Sequence, residues 1–289
     1  MNWAGRVVRR VTEHWDRIVW LTLGPAAFVP LSFCGSSFYQ QSLASSIARH
    51  FSLPGVSYVL LDARTGSVLN LCWDESSRLG PVGSLVKPFT ALAYAESHRF
   101  AYPVLVCRGS ADGCWLSRGH GRIGMPEAIA QSCNAYFRQL AREVRPEDFE
   151  LVAHRFGMPT ALEHTRSTAL VGLGTEWQVA PVSIARAYCR LAERAQYPGV
   201  NEVIRGMALS GAIGTGRAVD SAVLGFAVLV KTGTAPCVHT PPSPGDGYTI
   251  ALWPAESPRF ALLVRVHGVP GAQAAAVCGR MLQGAERAN

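Results

Sequence analysis

The sequence predicts an α+β fold, an antiparallel sheet covered by helices, with a helical block inserted between its early and late strands. Three observations predict it. Short β-branched and aromatic runs cluster at both ends of the 289 residues. Longer segments, several opening at a proline, fill the middle. Hydrophobic residues make up 48% and charged residues 16%, enough apolar material for a large packed core and too little charge for a disordered chain.

The elements follow in order. Arg6, Arg9, Arg10 and Arg17 precede a stretch without formal charge from Ile18 to Ala48. Its apolar part, Ile18 to Phe33, is 16 residues long, between a signal-peptide core and a full membrane span. Positive residues ahead of an apolar run keep that end in the cytoplasm. Residues 1–40 are therefore expected to be a cytoplasmic stub with a membrane anchor or signal segment, and residues 41–289 an exported domain. The competing reading is a buried N-terminal helix of a cytosolic protein. Cys34 hints at a lipid-modified cysteine, although Phe33 beside it is bulky.

Val56 to Leu61 reads as a strand, Asp62 to Ser67 as a turn and Val68 to Cys72 as the return strand of a hairpin. Helices are expected over Leu85 to Arg99, Pro126 to Val144 with a break at Ser132 to Asn134, Pro146 to Phe156, Pro181 to Arg194 and Val203 to Ile213. Strands return at Phe226 to Val230, leading into Lys231, and at Tyr248 to Trp253 and Phe260 to Val266. A proline-rich loop separates the first two, and Ala272 to Gln283 closes the chain as an amphipathic helix. One domain with two lobes results.

The net charge is +7, yet no basic run is interleaved with aromatics, so no nucleic-acid partner is expected. Among eight cysteines, Cys107 and Cys114 flank a loop that a disulfide could close. Cys237 and His239 stand alone as a metal pair without companions at zinc spacing, so neither a metal nor another cofactor is expected.

Lys87 and Lys231 are the only lysines; every other cationic side chain of that kind is arginine. Arginine stays protonated in proteins, whereas lysine loses its proton when burial or a neighbouring charge lowers its pKa. Both lysines lie in a trio of motifs: Ser84-Leu85-Val86-Lys87, Ser132-Cys133-Asn134 and Lys231-Thr232-Gly233-Thr234. Ser84 and Lys87 share one helical face. A serine hydroxyl needs a base, and a desolvated lysine near a second cation can be neutral and supply it. Ser132 and Asn134, at a helix break, can turn into a cleft to pass a proton and hold an amide. Gly233 leaves room for a substrate backbone on a strand edge, while Thr232, Thr234 and Lys231 suit a substrate carboxylate. Each motif alone is weak; the ordered trio points to acyl transfer with Ser84 as nucleophile.

The chain resembles the transpeptidase domain of class B penicillin-binding proteins, within the wider penicillin-binding and β-lactamase superfamily. The likeness rests on Gly83-Ser84 with Lys87 to Leu92, Gly119-His120-Gly121 with Glu127 to Ile129 and Ser132 to Phe137, Gly172-Leu173-Gly174 with Ala180-Pro181, and Val230 to Ala235. It implies a five-stranded antiparallel sheet flanked by helices with an all-helical lobe. It also implies attack on the D-Ala-D-Ala bond of peptidoglycan stem peptides, an acyl-enzyme on Ser84, and an oxyanion hole from the backbone N–H groups of Ser84 and Thr234. β-Lactams would acylate Ser84 in the bacterial cell envelope. The likeness covers roughly Val56 to Met281, so the family's N-terminal pedestal is expected to be absent. A membrane glycan polymerase or other cell-wall protein is the partner such a chain would need.

Competing readings share the residues. A carboxypeptidase would use water as acceptor. A β-lactamase of one class would need a Glu-x-x-Leu-Asn stretch, which the sequence lacks, and another class has an apolar residue where Asn134 stands. A penicillin sensor would need a cytoplasmic signalling part, and an inactive scaffold would tolerate loss of Lys87 or Lys231.

Overall fold

In the computed structural model, residues 34–159, 167–220, 225–239 and 245–287 are described. The chain runs α1 (Cys34–His50), β1 (Val56–Asp62), β2 (Val68–Cys72), β3 (Gly80–Pro81), a 3-10 turn (Gly83–Val86), α2 (Lys87–Ser97), β4 (Leu105–Cys107) and β5 (Gly121–Ile123). It continues with α3 (Met125–Ala130), α4 (Asn134–Ala141), α5 (Pro146–Phe156), α6 (Ser167–Val171), β6 (Gln178–Val179), α7 (Pro181–Glu193), α8 (Val200–Ala212) and α9 (Arg217–Asp220). β7 (Leu229–Ala235), β8 (Asp246–Trp253), β9 (Phe260–His267) and α10 (Gly271–Arg287) complete it.

The main sheet has five strands in the order β2-β1-β9-β8-β7, every pair antiparallel. The first hairpin and the last three strands therefore meet in one sheet, with the helical block between them in sequence, as the strand–helix–strand order predicts. The period of two along each strand sorts side chains between two cores. Val59, Leu61, Ile250, Leu252, Ala261, Leu263 and Leu229 face the helical lobe. Tyr58, Leu60, Ala251, Trp253, Leu262, Val264 and Val230 face the other side, where Leu43 and Ile47 of α1 and Cys278, Met281 and Leu282 of α10 cover them.

Several features depart from the sequence reading: β7 begins at Leu229 rather than Phe226, and the short pairs β3–β6 and β4–β5 were not expected. The expected helix at Leu85 begins as a 3-10 turn and becomes α-helical only at Lys87. Pro88, awkward inside a helix, then sits in the first turn, where a missing N–H costs nothing. The uncharged N-terminal stretch also ends in a helix: α1 packs against α10, and the expected boundary at 40/41 falls inside it. The apolar run Ile18 to Phe33 lies outside the described residues, and none of the described helices is long and apolar enough to cross a membrane.

Two glycines set the geometry at the mouth of the lobe. Gly83 and Gly172 both have left-handed backbones, with φ of 56° and 79°. A Cβ on Gly172 would lie 2.2 Å from the Gly83 carbonyl oxygen, and one on Gly83 would lie 2.4 Å from the Thr234 oxygen. Backbone thus stacks on backbone from the loop after α6, through the turn before α2, to β7. Gly172→Ala combines a backbone clash with an unfavourable φ, and we expect it to destabilise the fold by about 2 kcal/mol. An unchanged melting temperature would show that the stack yields easily.

Candidate active site

The three sequence motifs converge at the junction between β7 and the helical lobe. Ser84 lies in the 3-10 turn and Lys87 opens α2. At three residues per turn, positions i and i+3 eclipse, so the two side chains project from one line of the turn. The turn is fixed from behind. Tyr188 of α7 donates its hydroxyl to the Leu85 carbonyl at 2.8 Å, and Thr90 Oγ1 donates to the Leu170 carbonyl at 2.6 Å. Phe89 packs edge-on against Phe156 and Tyr188.

Ser132 sits between α3 and α4 with φ of 50°. A non-glycine residue in this region is strained, and strain of this kind persists where the surroundings hold a side chain in a required direction. Here it aims the Ser132 hydroxyl between both lysines: Lys87 Nζ lies 3.3 Å away and Lys231 Nζ 3.0 Å. Lys87 Nζ also donates to the Ser132 carbonyl at 2.7 Å and to Asn134 Oδ1 at 2.6 Å, and lies 5.5 Å from the centre of the Phe137 ring. Lys231 Nζ donates to the Thr232 carbonyl at 2.6 Å. Lys231 shares the strand face of Leu229, which is why it reaches the lobe.

Both amines are fully buried, at 0% exposure. Burial pushes Lys87 down to about 7, with Arg138 adding to the fall and the Cys133 and Cys114 thiols opposing it. Burial also drives Lys231 well below the ordinary lysine range, and the neighbouring charge of Lys87 lowers it further. Two adjacent buried ammonium ions would each lack water and repel the other. Both being charged at once is therefore disfavoured, and the Ser132 hydroxyl lies between the two amines.

The structure differs from the simplest reading in two places. Lys87 is engaged with Ser132 and Asn134, and half-buried Ser84 has no hydrogen bond through its hydroxyl among the described residues. The threonines of the third motif already have partners. Thr232 Oγ1 lies 2.6 Å from Thr215 Oγ1, and Thr234 Oγ1 accepts the Gly271 N–H at 3.0 Å. Thr234 is nevertheless exposed at the sheet edge, because among the described residues no strand pairs with the outer side of β7. Thr215 escaped the sequence reading. It also bonds the Ala130 carbonyl through its N–H at 3.0 Å, so it links the lobe to β7, and no local motif marks it.

The loop that a Cys107–Cys114 disulfide could close is left unbridged. Cys107 and Cys114 are both free thiols; instead of bridging, they approach His120 Nδ1 at 3.5 and 3.6 Å. Cys133 Sγ lies 3.9 Å from Cys114 Sγ, and donor atoms of all four residues fall within 4.8 Å of one another. Three sulfur ligands and one imidazole form a set that tetrahedral zinc takes, so these residues could hold a metal. Cys133 is the middle residue of the second motif, and the cluster therefore braces the turn that presents Ser132 and Asn134.

Comparison with known proteins places this geometry. The family model described as "Penicillin binding protein transpeptidase domain" matches residues 56–283. A search of curated proteins finds no match. Among solved structures, the transpeptidase domain of Burkholderia pseudomallei penicillin-binding protein 3 is similar at 21% identity and a TM-score of 0.68, covering 92% of this chain and 98% of that one. Pseudomonas aeruginosa PBP2, solved in complex with WCK 5153, gives 19% identity and a TM-score of 0.66, covering 87% of this chain and 74% of that one. The transpeptidase domain of the FtsI4 D,D-transpeptidase from Legionella pneumophila gives 19% and 0.60, covering 87% and 94%.

Proposed function

The chain belongs to the penicillin-binding protein transpeptidase domain family, and from that premise we propose that it cross-links peptidoglycan by acyl transfer through Ser84. The observation that carries the assignment is the pair of buried amines, Lys87 and Lys231, meeting at one serine hydroxyl beside the Ser84 turn.

The steps follow from the residues. Ser84 Oγ attacks the carbonyl of the D-Ala-D-Ala peptide bond, and neutral Lys87 accepts the hydroxyl proton. The tetrahedral oxyanion is met by the backbone N–H groups of Ser84 and Thr234, on segments that the Gly83 contact holds backbone to backbone. The C–N bond breaks, and the leaving D-alanine amine takes a proton through Ser132, which the two lysines replenish. Asn134 orients Lys87 and the donor amide. Thr232, Gly233 and Thr234 receive the donor along the open edge of β7, as an added strand. An amine of a neighbouring stem peptide then attacks the ester carbonyl, frees Ser84 and forms the cross-link. β-Lactams enter by the same attack and remain as the acyl-enzyme.

The residues ahead of α1 fit a cytoplasmic stub with an anchor or signal segment, which would put α1 and the domain that follows it on the outer side of the cytoplasmic membrane, within reach of a glycan polymerase. A carboxypeptidase would use the same residues with water as acceptor. Incubation of the purified chain with a donor stem peptide and an acceptor amine, followed by mass spectrometry, separates the two. Transpeptidation gives an amide-linked dimer and free D-alanine; D-alanine with a shortened monomer and no dimer would overturn the assignment.

The acylation rate should also report the buried base. Neutral Lys87 is the competent form and its pKa is depressed to about 7. The second-order rate constant for penicillin acylation is therefore expected to rise with pH through about 7 and level above it. The ordinary lysine range near 10.4 would give a rise only in strong alkali, and a profile of that kind would show that Lys87 is charged when Ser84 reacts.

A further inference from the structure

A second group of metal-binding side chains gathers just beyond the third motif, at the C-terminal end of β7, where Asp246 pairs with Ala235. Asp246 and His267 are a directly paired couple on β8 and β9, so the sheet fixes their relative position. Cys237 and His239 come to them from the loop after β7. His239 Nε2 lies 2.7 Å from Asp246 Oδ2, His267 Nδ1 lies 3.0 Å from Asp246 Oδ1, and Cys237 Sγ lies 3.7 Å from His267 Nδ1. One donor atom from each residue falls within 4.8 Å of all the others.

We propose that Cys237, His239, Asp246 and His267 form a zinc-class metal site that ties the loop after β7 to the ends of β8 and β9. Four arguments support it. One thiol, two imidazoles and one carboxylate are ligands that zinc accepts together. Zinc bonds of about 2.0–2.3 Å imply donor separations of about 3.3–3.8 Å in a tetrahedron. The sulfur–nitrogen distance already matches, and the two imidazole contacts, made to separate oxygens of Asp246, would open by about 0.3–0.6 Å as one oxygen turns to the ion. The charges balance, because a divalent ion neutralises one thiolate and the Asp246 carboxylate, whose side chain is only 2% exposed. There is also a route in, since His239 and Asp246 line a cavity of about 270 Å3 with Trp73, Arg78, Tyr248 and Arg265.

The purpose of such an ion follows from its place. Residues 236–245 read Pro-Cys-Val-His-Thr-Pro-Pro-Ser-Pro-Gly, with one aliphatic side chain, Val238, and that one exposed. With Val238 exposed, residues 236–239 have little apolar hold and are costly to order, and two ligands two residues apart would anchor them. Cys237 follows Thr234 by three residues, so the ion would also steady the strand edge. The inference stands without the acyl-transfer reading.

Metal content tests it. The full chain is purified from zinc-supplemented medium and zinc per polypeptide is measured by inductively coupled plasma mass spectrometry. Cys237→Ser and His239→Ala are each expected to lose about one equivalent relative to the unaltered chain. Cys114→Ser, in the cluster beside the second motif, should keep that equivalent, and Cys237→His should retain it because imidazole replaces the thiol. In the cobalt-loaded Cys114→Ser chain, the thiolate-to-cobalt absorption that remains should include a component that Cys237→Ser removes. Circular dichroism establishes that each variant is folded. Unchanged zinc content in folded Cys237→Ser and His239→Ala, or an unaltered chain that takes up no zinc, would overturn the proposal.

Discussion

Ser84→Ala is expected to abolish covalent labelling by a fluorescent penicillin while leaving the protein folded. In the proposed mechanism the hydroxyl oxygen bonds to the acyl carbon, so its removal should stop the first step outright and leave only reversible binding. The structure makes the test clean. Ser84 is half-buried and its hydroxyl bonds to none of the described residues, so stability should change by less than about 0.5 kcal/mol. The backbone N–H proposed to face the oxyanion survives the substitution. Loss of labelling with an unchanged melting temperature would assign the nucleophile. Labelling at an undiminished rate would remove Ser84 from that role and turn attention to Ser132, the nearest other hydroxyl between the lysines.

Lys87→Arg is expected to slow acylation by about 10²–10⁴-fold, the range that a positioned base contributes. The substitution keeps several donors for the Ser132 carbonyl and Asn134 Oδ1 but fixes a positive charge there, because guanidinium does not give up its proton in a protein. Arginine is also longer, and the site is sealed, so overpacking of about 1–3 kcal/mol accompanies the change. Thermal melting and binding of a non-hydrolysable ligand separate that effect from loss of the base. The wild-type rise through about pH 7 should vanish in the residual activity. A folded variant that acylates at the normal rate would exclude Lys87 as base and leave Lys231, whose amine is also depressed by burial, to take the proton.

Much of the architecture was legible because it depends on local pattern. The hairpin from Val56 to Cys72, the helix from Pro146 to Phe156, and the last two strands are recorded by alternation, proline starts and apolar runs, and they fold within a residue or two of the expected limits. The short pairs Gly80–Pro81 with Gln178–Val179, and Leu105–Cys107 with Gly121–Ile123, were not visible. Two or three residues carry no period, and their pairing is decided by what the surrounding helices bring together.

The chemistry divides in the same way. Residue type alone determined that two lysines are set apart from all the arginines and that they fall in motifs with Ser84, Ser132 and Asn134, because proton transfer and nucleophilic attack need particular functional groups. The tertiary structure decided where the amines point: both to Ser132, with Lys87 held by Asn134. It also decided that Cys107 and Cys114 gather with Cys133 around His120, and that Cys237 and His239 meet Asp246 and His267. The contacts between the motifs join positions tens of residues apart, so their distances depend on how sheet and lobe pack, and burial, which sets the amine pKa values, exists only once they have packed.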